Sequence, residues 1–130
     1  MNQDELREFA ECEGGAFGEC DPADSRWSWR VEAFDVARVV EGPLTGRPMD
    51  RKAWLQWLDE EISAGIRGGG AYFDRLATAL RETPDVFEPV IVAVHPDGRI
   101  EIGDGWHRFA ISVRDGIATL KAVVGTWDAN

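Results

Sequence analysis

The sequence has no long hydrophobic run. No apolar stretch approaches the roughly 18–20 residues a membrane helix requires, so a transmembrane reading is excluded. A signal peptide is not expected either. The start, MNQDELREFAE, is acidic where such a leader would be basic and then apolar, so secretion is not expected and a cytoplasmic protein is. There are only two cysteines, Cys12 and Cys20, spaced C-x7-C. Two are too few for a disulfide framework, and no further Cys or paired His completes a zinc site. Carboxylates surround both, which disfavours a thiolate and with it a reactive role. Positive charge is scarce: 14 Lys and Arg stand against 24 Asp and Glu, for a net charge of −10. Such a chain repels phosphate backbones at long range, so direct duplex-DNA binding is not expected. Internal repeats and low-complexity tracts are also absent.

What is there suits one globular domain. The 130 residues are 44% hydrophobic and 29% charged, enough to bury a core without staples. The acidity is local. Residues 1–24 hold eight acids and one base, whereas the rest of the chain holds 16 acids and 13 bases. The chain therefore divides into an acidic N-terminal segment, 1–26, and a nearly balanced domain, 27–130. The segment reads as a solvated terminus or as a surface for a basic protein partner.

Periodicity predicts the elements. Residues 3–12 read as a helix with Leu6, Phe9 and Ala10 on one side, and 14–25 as loop. Trp27 to Val40 reads as strand, with Trp27 and Trp29 at period two and a β-branched run in VEAFDVARVV. Asp50 is a good N-cap for a helix carrying Trp54, Trp57, Leu58 and Ile62 and closed by Gly65. Gly68–Gly70 is a joint. A second helix carries Phe73, Leu76, Ala77 and Leu80 and stops before Pro84. Residues 89–94, PVIVAV, read as a buried strand, His95–Gly98 as a turn, and 99–102 as the returning strand, broken by Gly103-Asp104-Gly105. Trp106 to Asp115 reads as a helix with Gly116 as its C-cap, and 120–124 as a last strand. The expected fold is α+β: a small single domain with a mixed β-sheet and flanking helices.

The segment Gly103-Asp104-Gly105-Trp106-His107-Arg108 stands at a strand-to-helix junction. Its glycines permit tight turns and close approach of a ligand. A helix start offers unpaired N–H groups and a positive dipole end, which together favour phosphate. His107 adds a titratable donor and Arg108 a planar guanidinium suited to bidentate phosphate contact. Asp104 is placed to cap the helix, and equally to meet a ribose or Mg2+. Trp106 either stacks on a base or simply covers the motif.

Residues 89–124, PVIVAVHPDGRIEIGDGWHRFAISVRDGIATLKAVVG, resemble the ParB/sulfiredoxin superfamily. The shared pattern is P-[VI]-x-V, a hairpin, D-G-x-H-R, a helix containing alanine, a glycine turn and a hydrophobic strand. FDVARVV resembles the family's first strand, and the likeness extends over roughly 31–124. Residues 1–26 have no counterpart in it. The resemblance implies a nucleotide as ligand, ATP or CTP with Mg2+, its phosphates held by Gly105, His107 and Arg108. It implies an NTPase or phosphotransferase among the possible activities. Sulfiredoxins carry a reactive Cys where this chain has Trp106, so sulfinic-acid reduction is not expected. ParB proteins continue into a helix-turn-helix region, so with the sequence ending at Asn130 partition-site binding is not expected either. Nuclease chemistry would need clustered carboxylates with a Lys, which the sequence does not offer.

Phosphoryl transfer would need a carboxylate base, and Glu41 and Asp50 are the catalytic candidates by position in the loop after the first strand. Arg47, in the same loop, could reach a phosphate. Trp54 and Trp57 read as core. Trp27, Trp29 and Trp127 flank the body and would form a partner surface if exposed. A homodimer is a further expectation on that ground. His95 reads as a turn residue. A second function class stands beside the first: a non-enzymatic interaction protein of phage type, such as an anti-CRISPR or anti-restriction inhibitor, docking its acidic segment on a basic nucleic-acid-binding surface.

Overall fold

The computed structural model describes residues 1–46 and 48–128. Arg47, the expected loop contact to phosphate, lies outside the described residues. The chain runs α1 (Gln3–Glu13), β1 (Trp27–Asp35), α2 (Arg38–Glu41), α3 (Arg51–Ser63), α4 (Gly70–Glu82), β2 (Val90–Val94), β3 (Ile100–Asp104), α5 (Trp106–Asp115) and β4 (Thr119–Trp127), with 3-10 turns at Ile66–Gly68 and Pro84–Val86. It is an α+β single domain. The four strands form one mixed sheet in the order β1-β4-β2-β3. β1 is antiparallel to β4, β2 antiparallel to β3, and β2 and β4 are parallel, joined through β3 and α5.

Side-chain alternation along the strands makes two cores. Val90, Val92, Ile100, Ile102, Ala122 and Val124 face α3, α4 and α5 and form the larger one. Ile91, Ala93 and Val123 point the other way, against Leu6 and Ala10 of α1 and against Trp27 and Trp29. Both sheet faces are thus covered, which is why β2 is apolar at every position.

Residues 1–26 pack as the second layer, held by four polar fixtures. Asn2 and Glu5 make a capping box that starts α1. The Gln3 side chain accepts from the Trp29 N–H at 2.9 Å and donates to the Trp29 carbonyl, finishing the outer edge of β1 there. Arg7 donates to the carbonyls of Pro22, Asp24 and Trp27. Glu101, from β3, accepts from the N–H groups of Gly18, Glu19 and Cys20 at 2.7, 2.9 and 2.9 Å. The acids of α1 remain outside: Asp4, Glu5, Glu8, Glu11 and Glu13 are exposed while Leu6 and Ala10 are buried.

Several expectations are corrected. The strand expected to reach Val40 ends at Asp35, whose carboxylate accepts from the Ala37 N–H at 2.9 Å. Val36 and Val39, three apart, are both buried, so one helical turn serves them where an extended chain would expose one. β3 continues through Gly103 to Asp104, because its edge is paired: the Ala16 N–H donates to the Gly103 carbonyl at 3.0 Å and the Phe17 ring fills the space a Cβ would take. Trp27 and Trp29 are 3% and 0% exposed, so they serve the second core and offer no partner surface. His95 is more than a turn residue. It bonds Glu101 at 2.9 Å and meets the Trp27 ring edge-on at 5.3 Å. Among the described residues no helix is long and apolar enough to cross a membrane.

Candidate functional site

The β3–α5 junction is shaped by Gly105. Its φ is +108, and a Cβ there would lie 2.4 Å from Cγ1 of Val90. Only glycine satisfies both the backbone and the space. The first bond of α5 runs from the Phe109 N–H to the Gly105 carbonyl at 2.9 Å. No side chain caps this end, whereas Asn2 caps α1 and Asp50 caps α3. The N–H groups of Trp106, His107 and Arg108 are therefore the orphan donors of the helix start. Asp104 does not cap, contrary to the expectation. Its carboxylate faces Arg108, one turn on, at 3.3 Å.

These residues line a groove of about 660 Å³ between α5, the end of α1, the α3–α4 turn and the loop before β2. Asp104, Gly105, Trp106, His107 and Arg108 all border it, as do Trp57, Tyr72 and Phe87. Arg108 is largely sheltered, with 15% of its side chain exposed. It donates to the Glu88 carbonyl and to Asp104, and its guanidinium lies 5.8 Å from the Phe87 ring centre. Burial pulls its pKa below the ordinary value, opposed by the Asp104 charge.

His107 is fixed on every side the structure describes. Its Nε2 meets Glu61 Oε1 at 3.0 Å. Trp57 lies against it at 5.5 Å with the rings tilted by 30°, and Phe73 and Tyr72 meet it edge-on at 5.0 and 6.0 Å. Trp106 rests on Trp54 at 5.2 Å and Trp57 at 5.8 Å, half-buried between core and groove. Trp54 itself is fully buried and donates from its indole to the Val39 carbonyl.

The two expected catalytic carboxylates do not border this groove. Glu41 lines a separate depression with Asp35, Arg38 and Ile100. Asp50 accepts from the Ala53 N–H at 2.8 Å, the work of an N-cap. The acids that do border the groove are Glu13, Glu88 and Asp104, with Glu61 behind His107. Sequence reasoning missed Glu61. Its position one turn after Trp57 on α3 was a usable sign that both face the same neighbour. It also missed Arg67 of the α3–α4 turn, which lines the groove too.

On the other sheet face, Glu19, His95 and Glu101 bring ligand atoms within 4.8 Å of one another. Their donors are already engaged. Glu101 accepts three backbone N–H groups and His95, and Arg99 donates to Glu19 at 2.7 Å. This set does not fit a metal ion; it ties the loop at 18–20 to β3. The Cys20 thiol beside it is pushed up to about 12 by burial and by the charges of Glu101, Asp21 and Asp24, so it stays protonated at neutral pH.

Among known proteins, no family model and no curated protein matches the chain.

Proposed function

We propose that the groove binds a nucleotide by its phosphates, in a domain of ParB/sulfiredoxin-like type. One observation carries the reading: the uncapped first turn of α5 opens into an aromatic-lined groove with Arg108 and His107 beside it. Orphan N–H groups and the positive helix end suit a phosphate, and Arg108 supplies the fork. Trp57, Trp106, Tyr72 and Phe87 suit a planar base. The order strand, hairpin, strand, helix, strand also agrees with the resemblance over 89–124. Transfer or hydrolysis would draw its base from groups that border the groove, Asp104, Glu88 or a His107 backed by Glu61, with Mg2+ arriving on the nucleotide.

Thermal melting with ATP, ADP, CTP and GTP, each with Mg2+, tests this. A ligand at 100 times its Kd stabilises by about 2.7 kcal/mol, a shift of several degrees for this size. The shift is expected in the wild type and absent in Arg108→Ala. No shift with any of the four would overturn the reading.

A second reading rests on α1. Its anchored helix presents Asp4, Glu8 and Glu11 outward, a fixed acidic face suited to a basic protein surface. Under this reading, reversing Glu8 and Glu11 to Lys abolishes the biological activity and Arg108→Ala leaves it intact.

A further inference from the structure

The two outer edges of the sheet are treated differently. The edge of β3 is covered: the Ile100 N–H donates to the Pro43 carbonyl, and the carbonyls of Ile100 and Gly103 accept from Thr45 and Ala16. In β1 the backbone groups of every second residue point away from β4, and four bonds show which residues these are. The Trp27 N–H donates to the Asp24 carbonyl, the Trp27 carbonyl accepts from Arg7, and Gln3 engages both groups of Trp29. The register of β1 on β4 runs without a bulge, so Val31 and Ala33 point outward by the same alternation. Their outward N–H and C=O groups have no partner among the described residues. Both side chains are exposed as well, Val31 by 43%. An open edge of this kind is a template for another strand. The open stretch is symmetric. Gln3 closes the edge at Trp29, three residues before Glu32, and β1 ends at Asp35, three residues after it.

We propose that this stretch docks a second copy of the chain, β1 lying antiparallel on β1 about a two-fold axis at Glu32. Val31 of each chain then pairs with Ala33 of the other, and each pair exchanges two backbone hydrogen bonds. All the open groups of both edges are satisfied at once, and one continuous sheet runs through both copies. The exposed Val31 side chains are covered in the same step. On the opposite face Glu32 meets Glu32 at the axis. Each is bonded to its own Arg30 at 3.0 Å and lies diagonal to the Arg30 of the other chain, a distance that arginine spans. Two acids and two arginines share that face, so the contact is neutral although the chain carries −10. A strongly basic strand would find no excess of acid between Arg30 and Phe34, whereas a copy matches the stretch charge for charge. Trp27 and Trp29 are spent on the second core, which leaves this edge, and not a tryptophan surface, for self-association. The groove has no lining residue from β1, so this proposal stands apart from the nucleotide reading.

Sedimentation equilibrium of the full chain, taken up to millimolar concentration at physiological salt, tests it. A short ladder with a small apolar contact makes a weak dimer, so the wild type should pass from monomer to dimer within that range. Ala33→Pro removes one outward N–H and leaves the pairing of β1 with β4 whole, a position where an edge strand tolerates proline. Val31→Lys leaves the backbone untouched and places a charge in the contact. Both variants should stay monomeric, and melting temperatures close to that of the wild type would show that they are folded. Glu32→Gln removes the like charges opposed at the axis and should tighten the dimer about threefold. A dimer that survives both Ala33→Pro and Val31→Lys lies elsewhere on the molecule and overturns the proposal. A dimer weakened by Glu32→Gln overturns the axis. A wild type that stays monomeric throughout overturns the second copy as occupant, whether or not the edge takes up a strand from another protein.

Discussion

Gly105 carries two constraints at once. The chain must turn at positive φ to leave β3 and enter α5, and Val90 leaves no space for a Cβ. Gly105→Ala should therefore cost about 3 kcal/mol, combining backbone strain with overpacking. A chemical denaturation curve would measure it. An unchanged midpoint would mean that the junction relaxes freely, and the geometry of the groove would then be less fixed than it looks. His107 shows the converse, a polar side chain held by its surroundings. Glu61 fixes one ring nitrogen, and Trp57, Phe73 and Tyr72 fix the plane. The D-G-x-H-R pattern draws attention to His107, but only the packing of α3 against α5 brings Glu61 to it.

At the scale of elements, the helix ends separate structure from candidate function. α3 begins on Asp50, whose carboxylate is spent on the Ala53 N–H. Asp50→Ala should cost about 1 kcal/mol, and Asp50→Ser should restore most of it, since serine also caps. Melting temperatures of the two variants would check this. A loss of nucleotide-dependent activity in Asp50→Ser at unchanged stability would instead favour the catalytic role expected from sequence. α5 lacks such a cap, and its open end is the one that meets the groove. Element positions were largely legible: α1, α3, α4, α5 and the β2–β3 hairpin follow from periodicity, caps and turn residues. The stretch at 36–40 was not. Its β-branched residues favour a strand locally, but Val36 and Val39 are claimed by the same core and need a helical turn to reach it.

At the scale of the whole molecule, Glu101 joins the N-terminal layer to the sheet. Burial pushes its carboxyl up. The hydrogen bonds from the Glu19, Gly18 and Cys20 N–H groups and from His95 outweigh this and hold it below the ordinary value of 4.5. A depressed carboxyl contributes stability that is complete above its ordinary pKa and is lost as pH falls through its folded one. The protein should therefore lose stability below about pH 4.5, with the N-terminal layer loosening as the carboxylate is protonated. Asp97 and Asp24, exposed nearby, are each held below the ordinary carboxyl value by hydrogen bonds from Arg99 and Arg26, and lose that support in the same direction as pH falls. Glu101→Gln keeps the shape but replaces one carboxylate oxygen, which takes two of these hydrogen bonds, with an NH2 donor. It should cost about 2 kcal/mol at pH 7 and flatten the acid limb. A pH series of denaturant midpoints for both proteins would show this, and parallel curves would refute it.

The sequence by itself determined what local chemistry decides: the helix over 3–12, the helix start at Asp50, the turn at His95–Gly98, the glycine-bounded junction before α5, and the lack of any apolar run long enough to span a membrane. It also determined that residues 1–24 would be acidic on their surface. Only the tertiary structure decided what long-range packing decides. It turned Trp27 and Trp29 inward against α1, and Glu101 inward against the loop at 18–20, more than 80 residues from the N–H groups it accepts from there. It set Glu61 behind His107, brought Arg67 to the groove and kept Glu41 and Asp50 away from it. The physical reason is the same throughout. Caps and turns are satisfied within a few residues of chain, and so leave a mark in sequence. A groove is the meeting of surfaces from separate elements, and no short window of sequence contains it.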